Sequence, residues 1–391
     1  MKKVFILTLV IIFISSGVRA ELSRNNFHQE EIIEQQLEKL DLSDLEEEVE
    51  KLSRQQDDYL PEIKLDDLLN LFTGDGSSLS FYDLLQGSLR LFFREVIESS
   101  RLLVQLIVLA VIAAVLKNFR ANFAENEVSK LANTMVYFVL IIIALNSFQI
   151  AITIGESTIA NMVDAMKALL PVLLSLLIGL GNVTSASLFH PLSYLVVNFL
   201  SVLIKNILFP LIFLATILDL VNSISDEFEV TSLASLLKQI AMGLIGLVTT
   251  IFGAVILAQG GIAAISDGIT IRTAKYLTGS FIPVVGGFIS NTLDMIVGGS
   301  LLIKNALGFF GVLIIILVCS FSAIKIIALV FIYRFAAAVI QPISEERIVT
   351  CLNKLANNLL LVFAAVTIVA IMFFLVLIIM VATANFTVML R

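Results

Sequence analysis

Four charged side chains fall inside long apolar runs of the sequence: Lys205, Asp294, Lys304 and Lys325. A charge at membrane depth costs several kcal/mol on most scales, so such groups are retained for ion paths, proton relays or pairing between helices. Each has a plainer reading. Lys304 can mark a helix end, while Lys205 and Lys325 can snorkel along their aliphatic stems or face a partner helix. Asp294 can pair with one of the lysines, and the sequence does not choose which.

Two segments echo each other. Leu169-Leu170-Pro171-Val172-Leu173 resembles Phe281-Ile282-Pro283-Val284-Val285, and Leu203-Ile204-Lys205-Asn206 resembles Leu302-Ile303-Lys304-Asn305. Paired proline-broken segments in two halves of a chain point to a transporter site. The intervals between proline and lysine differ, however, and a limited apolar alphabet produces such echoes by chance.

Catalytic patterns are missing. The sequence contains no H-E-x-x-H, G-x-S-x-G or P-loop, and the glycines around Gly286 lack the strand-to-helix setting of a phosphate cradle. An intramembrane aspartyl protease needs two facing acids. Asp219 and Asp294 are the nominees, but Asp219 reads as a helix end beside an acidic loop. With His28 and His190 as the only histidines, no His-rich metal site is available. Cys319 and Cys351 imply no disulfide framework. The expectation is a protein that is not an enzyme and carries no cofactor or metal.

These residues have to be positioned by helices in a bilayer. Of 391 residues, 58% are hydrophobic and 15% charged, against roughly 45–50% and about 25% in soluble domains. Residues 21–100 carry 20 acids and 7 bases, whereas residues 101–391 carry 12 acids and 15 bases. An acidic first fifth before an apolar, slightly basic remainder excludes a soluble enzyme, a disordered scaffold and a nucleic-acid binder, since the acidic part repels phosphates. The predicted fold is all-α, a polytopic helical membrane bundle behind a short exported region.

Residues 1–20 read as a cleaved signal peptide: Lys2 and Lys3, an apolar core from Val4 to Ile14, then Val18-Arg19-Ala20 with small residues where a signal peptidase reads. Residues 21–78 form an acidic exported helical region. There Ile33, Leu37 and Leu40, and again Leu45, Val49 and Leu52, recur at helical spacing. Ser43 to Glu46 fits a capping box, and Glu47 with Lys51 and Glu50 with Arg54 are i,i+4 pairs. Residues 79–101 follow as an interfacial amphipathic helix.

Residues 102–391 form the membrane domain. A helix needs roughly 20 apolar residues to cross about 30 Å of hydrocarbon. Charge-free intervals then predict spans near 102–117, 132–155, 169–189, 192–218, 240–261, 306–333 and 356–384, with 281–303 re-entrant or spanning. The basic loops with Lys117, Arg120 and Lys130, and with Arg272 and Lys275, lie inside under the positive-inside rule. The acidic loop around Asp226 lies outside. Arg334, Arg347 and Lys354 favour about seven spans.

The run Ser280 to Gly308, with Ala323 to Tyr333 and Ala336 to Ile343, resembles the stage III sporulation protein AE family of endospore-forming bacteria. The likeness is densest from about residue 160 to 385. It implies a membrane component of the mother-cell-to-forespore secretion apparatus, required for forespore development. The implied setting is the outer forespore membrane, among the other membrane proteins of the same operon and a forespore partner across the intermembrane space. The family supplies no catalytic residues. The matching positions expected in conduit or structural roles are Pro283, Gly286, Gly287, Asp294, Lys304, Asn305, Lys325, Gln341 and Pro342, to which the echo adds Pro171 and Lys205. The alternative is an autonomous permease for a small solute.

Overall fold

A computed structural model describes residues 43–55, 81–122, 127–222, 230–281, 286–343 and 346–389. Among them the chain is helical, without strands: α1 (Ser43–Gln55), α2 (Phe81–Glu98), α3 (Ser100–Asn122), α4 (Glu127–Gly179), α5 (Val183–Leu203), a π-helical turn (Ile204–Leu208), α6 (Phe209–Val221), α7 (Thr231–Phe281), α8 (Gly286–Ile340) and α9 (Glu346–Met389). The expected signal peptide, the Ile33–Leu40 stripe and Pro283 lie outside the described residues. In α1, Leu45 is buried and Val49 packs on the core. Lys51 reaches Glu47 at 3.3 Å and Glu48 at 3.4 Å, and these hydrogen bonds hold its ammonium above the usual lysine range.

Among the described residues, five helices are long and apolar enough to cross a membrane, and the bent pair Gln86–Glu98 and Ser100–Val115, at 44°, makes up to six. Charge-free intervals divide the chain more finely than these helices do. The stretches 132–155 and 169–179 run on one helix, α4, whose 53 residues extend about 80 Å at 1.5 Å per residue. Glu156, Asp164 and Lys167, which separate the two intervals in the sequence, stand on its surface and leave the backbone helical. The two helices expected to fold at the polar stretch Gly181 to Pro191 turn at its start, residues 180–182, earlier than the span limits 189 and 192. There Gly181 takes φ 83°, its N–H donates to the Ile178 carbonyl and that of Asn182 to the Leu177 carbonyl, both at 2.9 Å. This pair of bonds is the glycine-terminated Schellman end, which needs a left-handed residue. Pro191 lies within α5. Residues 286–303 form no separate element; they are the first part of the 55-residue α8.

Pro210 accounts for the π-helical turn before it. Without an N–H, and with a ring that crowds the carbonyl four residues back, proline interrupts the helical ladder. The chain absorbs this by widening residues 204–208 into one π turn and continuing as α6.

The centre of the bundle is α9, whose Val366, Phe373, Val376 and Leu377 are buried. Lipid is as apolar as leucine, so helices in a bilayer associate through close packing, and small residues permit the approach. A Cβ on Gly308 would stand 2.2 Å from Val381 Cγ2, and one on Gly155 would stand 2.9 Å from Phe209 Cζ and 3.3 Å from Val366 Cγ2. Gly260 likewise faces Ile379, and Gly311 faces Leu169 and Leu377. These contacts tie α4, α6, α7 and α8 to α9 at successive levels.

Candidate functional site

Two polar locks hold the bundle. At the hairpin between α4 and α5, the first N–H groups of α5 have no helical partner, and the side chain of its N-cap residue, Asn182, makes no capping bond. Asp267, on α7, supplies the cap. Its carboxylate accepts from Thr184 N at 2.9 Å, Ser185 N at 2.8 Å and Ser185 Oγ at 2.5 Å, and the positive end of the helix favours that charge. At the other end of α7, Lys238 pairs with Asp219, which is 4% exposed, and Asn358 Nδ2 donates to the same carboxylate at 2.8 Å. About 29 residues of α7 separate Lys238 from Asp267, or about 43 Å, the thickness of a bilayer with its headgroups.

Between these levels α5 and α7 expose Leu188, Leu195, Phe199, Val202, Leu247, Leu257 and Ile262, surface suited to acyl chains. α4 does not. From Asn146 onward its exposed positions are Asn146, Gln149, Ile150, Thr153, Ser157, Ala160, Asp164, Lys167, Pro171, Ser175, Ile178 and Gly179, with Ile154, Glu156 and Asn161 half-buried. Three- and four-residue steps place Thr153 through Ser175 on one helical face. Asp164 and Lys167 pair at 3.5 Å with side chains 54% and 43% exposed. The antiparallel α5 carries a matching polar edge: Ser187, His190 and Asn198 are exposed, Tyr194 and Ser201 are half-exposed, and Lys205 is exposed on the π turn.

Distance from the turn fixes the levels. Lys167 and the outward-facing Leu195 each stand about 14 residues from Gly181, and Pro171 and Pro191 each stand about ten. A charged face and a leucine face therefore share one depth. Each proline also leaves the carbonyl four residues before it, Lys167 or Ser187, without a helical donor. Such groups persist at membrane depth only against protein or water.

The residues singled out from sequence scatter among different surroundings. Pro171 and Lys205 lie on the polar strip. Lys304 is 1% exposed; its Nζ donates to the Val381 carbonyl at 2.7 Å and to Asn385 Oδ1 at 3.2 Å. Its neighbour Asn305 has a buried amide oxygen without a partner among the described residues. The two Ile-Lys-Asn echoes thus differ, one exposed on a π turn and one buried against α9. Lys325 lies over the Phe321 ring at 4.5 Å, within electrostatic reach of Glu95 on α2, as expected of a lysine facing a partner helix. Gly286, Gly287 and Asp294 fall in the first turns of α8, and Gln341 and Pro342 follow its last residue, Ile340.

Asp164, Lys167, Asp267 and the partners of Asp219 do not stand out in the sequence. Charges end an apolar run, so 156–168 falls between the expected spans, yet its polar residues recur at helical period, the signal that marks one face.

The model of the stage III sporulation protein AE family matches residues 63–384. Stage III sporulation protein AE of Bacillus subtilis (strain 168) is 41% identical over 332 residues, 85% of this chain and 83% of the relative. The chain belongs to the stage III sporulation protein AE family. No solved structure matches it. A role in sporulation and a place among membrane proteins follow from the family and the apolar helices together.

Proposed function

We propose that this family member is a membrane subunit of the secretion channel between mother cell and forespore. It sits in the outer forespore membrane with the other stage III operon proteins and a forespore partner across the intermembrane space. The observation that carries this reading is the α4 strip. Charged Asp164 and Lys167 share their depth with outward-facing leucines on α5, and lipid does not cover exposed charge at that depth. A bundle with such a side is completed by other subunits. No catalytic step is assigned to it, and no cofactor is required.

The test is deletion in the spore-forming host, with heat-resistant spore counts, forespore imaging and affinity purification of the tagged chain. Loss of heat-resistant spores, collapsing forespores and co-purification of several membrane proteins support the reading. Normal sporulation, or a chain that purifies alone and takes up solute in liposomes, overturns it in favour of an autonomous permease.

A further inference from the structure

We infer that the strip from Thr153 to Ser175 on α4, with the Ser187–Lys205 edge of α5, faces a water-filled passage whose remaining walls come from neighbouring subunits. The inference rests on the assembly reading and adds which face is wet and what it admits.

Three observations favour water over a dry protein contact. Five polar side chains of the strip are turned onto their own helices: Thr153 Oγ1 donates to the Gln149 carbonyl at 3.0 Å, Ser157 Oγ to Ile154 at 3.0 Å, Ser175 Oγ to Pro171 at 2.9 Å, Ser187 Oγ to Val183 at 2.8 Å and Asn198 Nδ2 to Tyr194 at 2.9 Å. The four hydroxyl donors are therefore spent within the chain and do not reach for a partner's acceptors, while Asn198 has one further N–H. Second, Pro171 and Pro191 offer no N–H to the Lys167 and Ser187 carbonyls, and water can supply a donor there at any orientation. Third, the charges of the strip are Glu156, Asp164, Lys167 and Lys205; drying all four in an interface incurs a desolvation penalty that pairing often fails to offset. Two acids and two bases also leave the strip without formal net charge. The lining therefore suits small polar solutes that are neutral or zwitterionic and does not select either sign of ion.

The test uses the full chain in membranes from sporulating cells, with the native thiols removed as Cys319→Ala and Cys351→Ala. Single cysteines replace Ser157 and Ser175 on the strip, one-atom changes that leave the fold intact, and Leu195 and Ile262 on the apolar faces. Membrane-impermeant anionic and cationic methanethiosulfonates are the probes, because only a hydrated thiol ionises and reacts readily. The expected result is labelling of Ser157→Cys and Ser175→Cys at least about tenfold faster than of Leu195→Cys and Ile262→Cys, with the two reagent charges reacting within about threefold of each other. Equal protection of all four positions, equal labelling of all four, or a strong preference for one reagent charge overturns it. The same variants are scored for heat-resistant spores and for co-purifying membrane proteins. Intact sporulation and assembly with a protected strip removes this inference alone, whereas failure of the unsubstituted chain to assemble removes the reading beneath it.

Discussion

At the scale of single residues, burial decides what each charge is worth. The Asp219 side chain is 5% exposed and that of Lys238 26%, so the two halves of this pair are not equivalent. Removing the lysine takes the counter-charge from a buried carboxylate that Asn358 still donates to, a loss of up to about 3–5 kcal/mol. Removing the aspartate leaves an ammonium on a flexible stem that can swing outward. Thermal denaturation in detergent should therefore rank Lys238→Ala below Asp219→Ala, with the double variant recovering part of the loss; single losses that simply add in the double variant would show that the pair contributes little. Lys304 differs, since its described partners are a carbonyl and an amide. Lys304→Met keeps its length and drops the charge, and should leave the melting temperature unchanged or raised, because apolar replacement of a buried charge is often neutral or favourable. A sharp fall in stability would mean that the charge itself holds α8 to α9. Lys205, Lys304 and Lys325 were legible in the sequence as unusual. Their different roles were not, because exposure depends on which face of a helix the neighbours cover.

At the scale of helices, the closest approach is between α8 and α9. A methyl group on Gly308 meets Val381 at 2.2 Å, so Gly308→Ala should destabilise by about 1–3 kcal/mol through overpacking. Val381→Ala should restore much of that loss by removing the obstructing branch. Absence of rescue would place the strain elsewhere. The sequence announced that these elements are helical and apolar, but their ends followed rules it displays weakly. The Schellman end at Gly181 was readable as a glycine in a polar stretch, whereas the continuity of α4 through Glu156, Asp164 and Lys167 was not, since a charge stops an apolar run without stopping a helix. The π turn at residues 204–208 had a legible cause in Pro210 and no legible outcome, because a proline can equally kink or end a helix.

At the scale of the whole molecule, the uneven surface predicts a variant that folds and fails. Asp164 and Lys167 form an exposed i,i+3 pair, so replacing both by leucine should change the stability of the isolated chain by no more than about 0.5 kcal/mol. In the assembly the same change turns a wet wall apolar, and heat-resistant spores should fall at least tenfold while the protein level holds. Unaltered spore counts would show that this face meets lipid or nothing that matters. Asp267 bears on how the molecule comes to be made. The hairpin it closes is complete by residue 185, but its N–H groups donate to a carboxylate 82 or 83 positions later in the chain. At roughly 5–20 residues per second, the ribosome delivers that carboxylate several seconds after the turn has emerged. Until then the tip remains an open polar end that must be kept from lipid by water or by the insertion machinery. Chains stopped before Asp267 should accordingly be recognised as unfinished and degraded, and chains stopped just after α7 should survive longer, so that completion of this one contact works as a checkpoint in membrane insertion.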